Sequence, residues 1–303
     1  MVRRVLLCGA GYGEAYRRVF KAIGAQLIGV VGRGGRRSRS LASAMQVPWS
    51  RDLSQFLPQA DLVIVAIGGV DGDRLAMESL HHAVPVLREH PVSSKFVARA
   101  ARVAALSRVP WLVNPHFAYL RAPTALISRC HFLARTGPPR SVSVLTNARM
   151  AFSAIDLLLR VSDVCGIAPG RATITRTDKS VRSTWRHAVG VMTLEIGMNF
   201  SADDNERDVM TGHRFGVDFG GTQLRLRSAA GPLVELAGAP GARRSETVPC
   251  QSRKDFLQDR ELANLKVVQA MLVDPPAQAD RLREHERIAR TARIWESMLR
   301  PRW

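Results

Sequence analysis

Residues Val5-Leu6-Leu7-Cys8-Gly9-Ala10-Gly11-Tyr12-Gly13-Glu14-Ala15-Tyr16 run an apolar strand straight into a glycine-rich turn and then a helix. No other stretch constrains the fold as strongly. A helix start presents bare backbone N–H groups to a phosphate, and only glycine lets a pyrophosphate approach that closely. The dinucleotide fingerprint asks for a third glycine or alanine at position 14. Glu14 stands there instead, and Gly13 falls one place early. Gly9, Gly11, Tyr12 and Gly13 are the first candidate cofactor contacts, and the next strand must support them.

Gln26-Leu27-Ile28-Gly29-Val30-Val31-Gly32 reads as that second buried strand, one helix further on. About twenty residues beyond the glycines, an NAD-preferring fold places a carboxylate on the ribose hydroxyl. This chain reads Arg33-Gly34-Gly35-Arg36-Arg37-Ser38-Arg39 there, with no acidic residue. Guanidinium forks make bidentate, charge-assisted bonds to phosphate. Arg33, Arg37 and the Ser38 hydroxyl therefore point to the 2′-phosphate of NADPH, the alternative being a solvated basic loop.

The apolar runs at 61–67, 85–87 and 110–114 continue the pattern, with helices expected at 41–45, 52–57, 73–82 and 94–107. Strand and helix alternate five times over roughly the first 115 residues, which predicts a doubly wound parallel sheet. Ile67 and Gly68 stand at the C-terminal end of the third strand, where open parallel sheets bind ligands. Beyond residue 119 the periodicity changes. Segments 140–145, 193–198 and 223–226 alternate apolar and polar, as antiparallel strands with one covered face do. A helix is expected at 153–163, a loop at 238–244, and closing helices at 257–272 and, after Pro275-Pro276, at 279–299. The expected fold class is α/β, with a doubly wound domain over 1–118. An α+β substrate domain on a mostly antiparallel sheet follows over 119–256, then closing helices over 257–303 that pack back between the two.

At 303 residues the chain has room for two cores. No run approaches the length of a membrane span, and the N-terminus reads as a strand rather than a signal segment. A cytoplasmic protein with no membrane partner is expected. Cys8, Cys130, Cys165 and Cys250 are widely spaced, with no metal-ligand pattern, and are expected to be reduced and buried. The balance of 44 basic against 26 acidic residues gives a net charge of +18. Those charges are scattered and aromatic residues make up 6%, so the sequence carries no stacking stripe for nucleic acid. An acidic protein partner or an anionic substrate accounts for the charge, and so does plain arginine-rich composition, the simplest single cause.

Two clusters follow the fourth and fifth strands: Arg88-Glu89-His90-Pro91 and Asn114-Pro115-His116-Phe117-Ala118-Tyr119. A strand-end histidine fixed by proline is suited to proton transfer near neutral pH. His90 is the leading candidate acid, although it can instead serve only its turn, and His116 can equally be a supporting residue. His81-His82 and His285 read as solvated helix faces, without zinc-ligand spacing.

Glu89-His90-Pro91 resembles the Glu-Lys-Pro signature of the Gfo/Idh/MocA oxidoreductases, with histidine in place of lysine. More specifically, the chain is similar to the thiazolinyl imine reductases of siderophore assembly, of the pyochelin and yersiniabactin type. The shared features are Gly13-Glu14-x-Tyr16 after the glycine turn, Arg33-Gly34-x-x-Arg37-Ser38, Glu89-His90-Pro91, Asn114-x-His116, and Gly231-Pro232 after a Gly220-Gly221 strand. They extend from the first strand to the helix around Trp295. The resemblance implies a Rossmann domain and NADPH, and adds Glu89 and Asn114 to the cofactor contacts. It implies reduction of a thiazoline C=N to a thiazolidine on a substrate tethered by phosphopantetheine to a carrier domain of a non-ribosomal peptide synthetase, and a homodimer. His90 occupies the position of the proton donor. Family members carry tyrosine where this chain has Phe117, so that role belongs to Tyr119, passes to His116 or to water, or is not essential. A sugar or polyol dehydrogenase and a non-catalytic NADPH-binding regulator remain the rival readings.

Overall fold

The computed structural model describes residues 2–198, 212–238, 244–273 and 277–299. The chain divides into two compact units, Met1–His116 with Glu261–Arg293, and Phe117–Arg260 with Ile294–Trp303. The closing residues are therefore shared between the units.

In the first unit, β1 (Arg4–Cys8), β2 (Gln26–Val31), β3 (Trp49–Ser50), β4 (Leu62–Val65), β5 (Val86–Arg88) and β6 (Trp111–Val113) form one parallel sheet in the order β3-β2-β1-β4-β5-β6. This is the doubly wound order, with the switch point between β1 and β4. Its central strands are apolar along their length because both faces are covered: Val5–Cys8 and Leu62–Val65 are all buried. Tyr16, Phe20, Leu41 and Ala42 pack on the sheet, as do Val267, Val268, Met271 and Leu272 of the helix Arg253–Leu272.

Crossovers run through a 3₁₀ turn at Gly13–Tyr16 leading into α1 (Arg17–Ala22), then α2 (Arg36–Ala44), α3 (Gly69–His81) and α4 (Ser94–Ser107). Ser93 caps α4, its hydroxyl accepting from the Phe96 N–H at 3.1 Å. Two expectations fail locally. The helix expected at 41–45 begins at Arg36, since arginine is as good a helix former as leucine and the intervening serines cost only a few tenths of a kcal/mol each. Residues 52–57 do not form the expected helix. The Asp52 carboxylate accepts from the Ser54 N–H and hydroxyl at 2.9 and 2.8 Å, a local turn that competes with helical bonding.

The second unit carries a sheet in the order β14-β13-β12-β11-β7-β10-β9-β8. These strands are β7 (Ser141–Asn147), β8 (Ala172–Arg176), β9 (Ser180–His187), β10 (Gly190–Gly197), β11 (Arg214–Asp218), β12 (Thr222–Leu226), β13 (Leu233–Ala237) and β14 (Arg244–Val248). It is antiparallel except where β7 and β10 run parallel. Alternate residues Val142 and Val144, Val181 and Trp185, and Met192, Leu194 and Ile196 share a core with α5 (Arg121–Leu133) and α6 (Ala151–Val164). α5 was not anticipated, although Ala122, Leu126 and Cys130 recur at the four-residue spacing of a buried helical stripe. The closing helix is Gln278–Leu299. Of the loop expected at 238–244, residues 239–243 lie outside the described residues, as does Pro275-Pro276, while Arg244 begins β14.

All four cysteines are free thiols. Cys8, Cys130 and Cys165 are buried, but Cys250 is exposed. Among the described residues no helix is long and apolar enough to cross a membrane.

Candidate active site

Strand register brings the sequence clusters together. Cys8 pairs with Val65, Val65 with Arg88, and Arg88 with Val113, so four strands end at one level. The ladder continues one residue further: Ala66 N–H donates to Cys8 O, Glu89 N–H to Val65 O and Asn114 N–H to Arg88 O, at 2.7–2.9 Å. The segments starting at Gly9, Ala66, Glu89 and Asn114 therefore all leave from the same edge of the first unit.

The glycine turn fits a dinucleotide on its own geometry. Gly9 has φ +99°, and a Cβ there would lie 2.8 Å from Ala66 O and 2.7 Å from Ile67 Cγ1. This residue must be glycine for the chain to turn against β4. A Cβ on Gly13 would press on the Leu7 side chain at 3.1 Å. Gly13 thus performs the helix–strand packing expected of the third fingerprint glycine, one position early. Gly11 and Gly68, by contrast, face open space within 4 Å, the approach a bound pyrophosphate requires.

Beside this turn lies a buried polar network. The Tyr16 hydroxyl donates to Glu89 Oε1. Asn114 Nδ2 lies 2.7 Å from the same Glu89 oxygen, 2.8 Å from the Tyr16 oxygen and 2.8 Å from Asn264 Oδ1. Two amide hydrogens serve three acceptors, so at least one bond is shared. Asn114 Oδ1 accepts from the His116 N–H at 3.1 Å. Burial, and then the charge of Glu89, push the Tyr16 phenol well above its ordinary range, so it stays protonated and remains a donor.

The two histidines meet here. The His90 and His116 rings stack at 5.8 Å, inclined by 10°. His116 Nε2 lies 2.8 Å from the Tyr12 hydroxyl. Glu89, His90 and His116 each bring a ligand-type atom to within 4.8 Å of the others. Glu89 and His116 are buried and His90 is half-buried. The peptide bond joining His90 to Pro91 is cis.

Arg88 supports the turn from beneath. Its side chain is 1% exposed; Nη1 donates to the Glu89 carbonyl at 2.7 Å and Nη2 to Asp73 Oδ1 at 3.3 Å. Burial pulls the guanidinium below its ordinary value and raises Asp73, while each opposes the shift of the other. Asp73 and the carbonyl keep this buried cation bonded, which is the condition for retaining one.

The predicted site residues divide into groups. Gly9, Gly11, Tyr12, Gly13, Ile67, Gly68, Glu89, His90, Asn114 and His116 share the edge of the first sheet. Arg33 and Arg37 are exposed at the end of β2 and the start of α2. Arg33 Nη1 lies 3.3 Å from Asp71, a solvent-exposed pair of small energetic weight. Ser38 is buried, and its hydroxyl donates to Gly35 O at 3.0 Å while accepting from Trp49 Nε1 at 3.1 Å. Its one hydrogen is thus already engaged within the chain. Tyr119 is 40% exposed and belongs to the second unit. Phe117 is also a residue of that unit, where its ring meets His213 edge-on at 5.0 Å.

Three residues escaped the sequence reading. Tyr16 was visible only as a motif letter. Asn264 lies 150 positions from its partner and has no local signal. Arg51 lies over Gly34, where a Cβ would come within 2.5 Å of its guanidinium. It joins the basic group because β3 pairs with β2, Val31 against Ser50.

Residues 3–109 match the Gfo/Idh/MocA family, described as an oxidoreductase family with an NAD-binding Rossmann fold. No curated protein matches the chain by sequence. Solved structures share the fold over nearly the whole length. GenD2 from gentamicin A biosynthesis, in complex with NAD, is 16% identical, with a TM-score of 0.71 over 99% of this chain and 93% of that one. UDP-N-acetylglucosamine 3-dehydrogenase GnnA from Acidithiobacillus ferrooxidans is 15% identical, with a TM-score of 0.71 over 98% of each chain. Biliverdin reductase from Synechocystis sp., in complex with biliverdin and NADP+, is 16% identical, with a TM-score of 0.70 over 97% of this chain and 98% of that one.

Proposed function

We propose that this chain is an NADPH-dependent oxidoreductase of the Gfo/Idh/MocA type that reduces a thiazoline C=N bond to a thiazolidine. The observation that carries this reading is the imidazole pair His90–His116, tied to the Tyr12 phenol at the strand edge where the family signature has lysine. A reduction at C=N needs a proton on nitrogen as charge develops there, and a positioned imidazole provides it near neutral pH.

Gly9, Gly11, Tyr12 and Gly13 would hold the pyrophosphate, with Ile67, Gly68, Glu89 and Asn114 along the same edge. Arg33 and Arg37 would hold the 2′-phosphate. When bound, NADPH supplies the hydride for the ring carbon. His90 protonates the ring nitrogen. Tyr12 holds the His116 ring, and Asn114 holds its backbone N–H, so the second imidazole stays against the first. Glu89, gripped by Tyr16 and Asn114, anchors the turn that presents His90. Phe117 has no proton to give, so a second donor beside His90 is Tyr119, His116 or water.

The substrate in this reading is tethered to an acidic carrier domain of a non-ribosomal peptide synthetase, which the net charge of +18 attracts. The test is NADPH oxidation with a synthetic aryl thiazoline, compared with sugars and polyols under NADP+ or NAD+. Thiazoline-dependent oxidation without sugar turnover is expected. Sugar-dependent cofactor reduction would establish a dehydrogenase instead, and cofactor binding without any turnover a regulator.

A further inference from the structure

We propose that Glu89, His90 and His116 form a three-ligand site for a divalent transition metal ion of the zinc type, and that filling it arrests proton delivery by the two imidazoles. The first half stands on geometry alone. The second rests on the oxidoreductase reading.

The donor set is two imidazoles and one carboxylate, which favours zinc-like ions over calcium or magnesium, whose sites are built from oxygen. The three ligand atoms lie within 4.8 Å of one another. An ion at the centre of such a triangle sits at most about 2.8 Å from each, against zinc bonds of about 2.0–2.2 Å. Each ligand needs to close in by no more than about 0.8 Å. Two ligands are neighbours at the end of β5 and the third follows β6, so paired strands bring them together without any sequence spacing motif.

The surrounding shell is already ordered for ligation. Tyr16 and Asn114 hold one oxygen of Glu89, Tyr12 holds one nitrogen of His116, and Asn114 fixes the His116 backbone. Such outer partners orient ligands and raise metal affinity. Arg88, the nearby buried cation, is paired with Asp73 and does not replace the ion. His90 is half-buried, so the cluster has a partly open side for entry and for a water as fourth ligand. An ion bound to both rings takes the nitrogen lone pairs on which proton transfer depends.

The experiment titrates cofactor-free protein with Zn2+ by calorimetry and with Co2+ by visible absorption. One saturable equivalent is expected, with Co2+ bands of a low-coordinate nitrogen–oxygen site. Glu89→Gln and His116→Ala should each weaken binding at least about tenfold while circular dichroism stays that of the parent. The double variant His81→Ala/His82→Ala, on the exposed end of α3, should bind as the parent does. Absent saturable binding, binding unchanged in both cluster variants, or binding lost in the α3 variant overturns the site. Zn2+ should also suppress NADPH-linked turnover, reversibly by chelator. Binding without suppression overturns the second half alone. Failure to find any turnover sinks the functional reading, and the calorimetric outcome still decides the metal site.

Discussion

Replacing Tyr16 by phenylalanine isolates one hydrogen bond at the centre of the cluster. The side chain is fully buried and stacks on Phe20 at 6.1 Å, so the substitution keeps the shape and opens almost no cavity. It removes the donor to the Glu89 carboxylate and an acceptor of Asn114. A bond to a charged partner is worth about 1.5–3 kcal/mol, which sets the expected loss of stability near neutral pH. The deficit should shrink in alkali. The native phenol is held well above its ordinary value of 10.0, whereas the unfolded chain releases that proton at about 10. Above that pH the unfolded state binds fewer protons than the native state, so parent stability falls as pH rises. The fall reaches about 1.4 kcal/mol by about pH 11, and the variant, lacking the phenol, escapes it. Denaturant unfolding of both proteins at about pH 8 and about pH 11 measures the gap, and other titrating groups cancel in the difference. A gap that stays constant, or widens, across that interval would refute the argument that Tyr16 is buried as a neutral donor.

Four further outcomes are expected. Gly72→Ala places a Cβ 1.9 Å from Ile67 O and 2.6 Å from Arg88 Nη2; it should cost about 3 kcal/mol or more in denaturant unfolding, and parent-like stability would discount that contact. Arg33→Ala/Arg37→Ala should erode a preference for NADPH over NADH by more than about tenfold in paired affinity measurements, whereas Ser38→Ala should leave the preference intact because its hydroxyl is engaged by Gly35 and Trp49. His90→Ala should slow single-turnover reduction at least about tenfold with NADPH affinity unchanged; an unchanged rate would assign the imidazole to structure. Turnover of carrier-bound thiazoline should fall with added salt more steeply than turnover of a free thiazoline, and identical salt profiles would leave the +18 charge without a role in docking.

What the sequence determined by itself was local or periodic. Continuous apolar runs separated by helix-length segments demanded a parallel sheet covered on both faces, and the alternating strands after residue 119 demanded a different one. The glycine turn, the carboxylate-free end of β2 and the two strand-end histidines were legible because each needs only a few adjacent residues. Tertiary structure decided how those pieces meet. Strand register carried the ends of β1, β4, β5 and β6 to one level, which set His90 against His116 and Tyr12 against both Tyr16 and His116. Asn264 joined from a distant helix, and Arg51 joined the basic group through the pairing of β3 with β2. The parallel pairing of β7 with β10 was likewise invisible, since alternation reports which face is covered and not the direction of the neighbouring strand. Ser38 looked like a phosphate ligand by position, but a hydroxyl in the first turn of a helix finds its nearest partners in its own backbone and in the side chain packed above it. A sequence records which groups a chain possesses, and the packing of distant segments determines which of them remain available for chemistry.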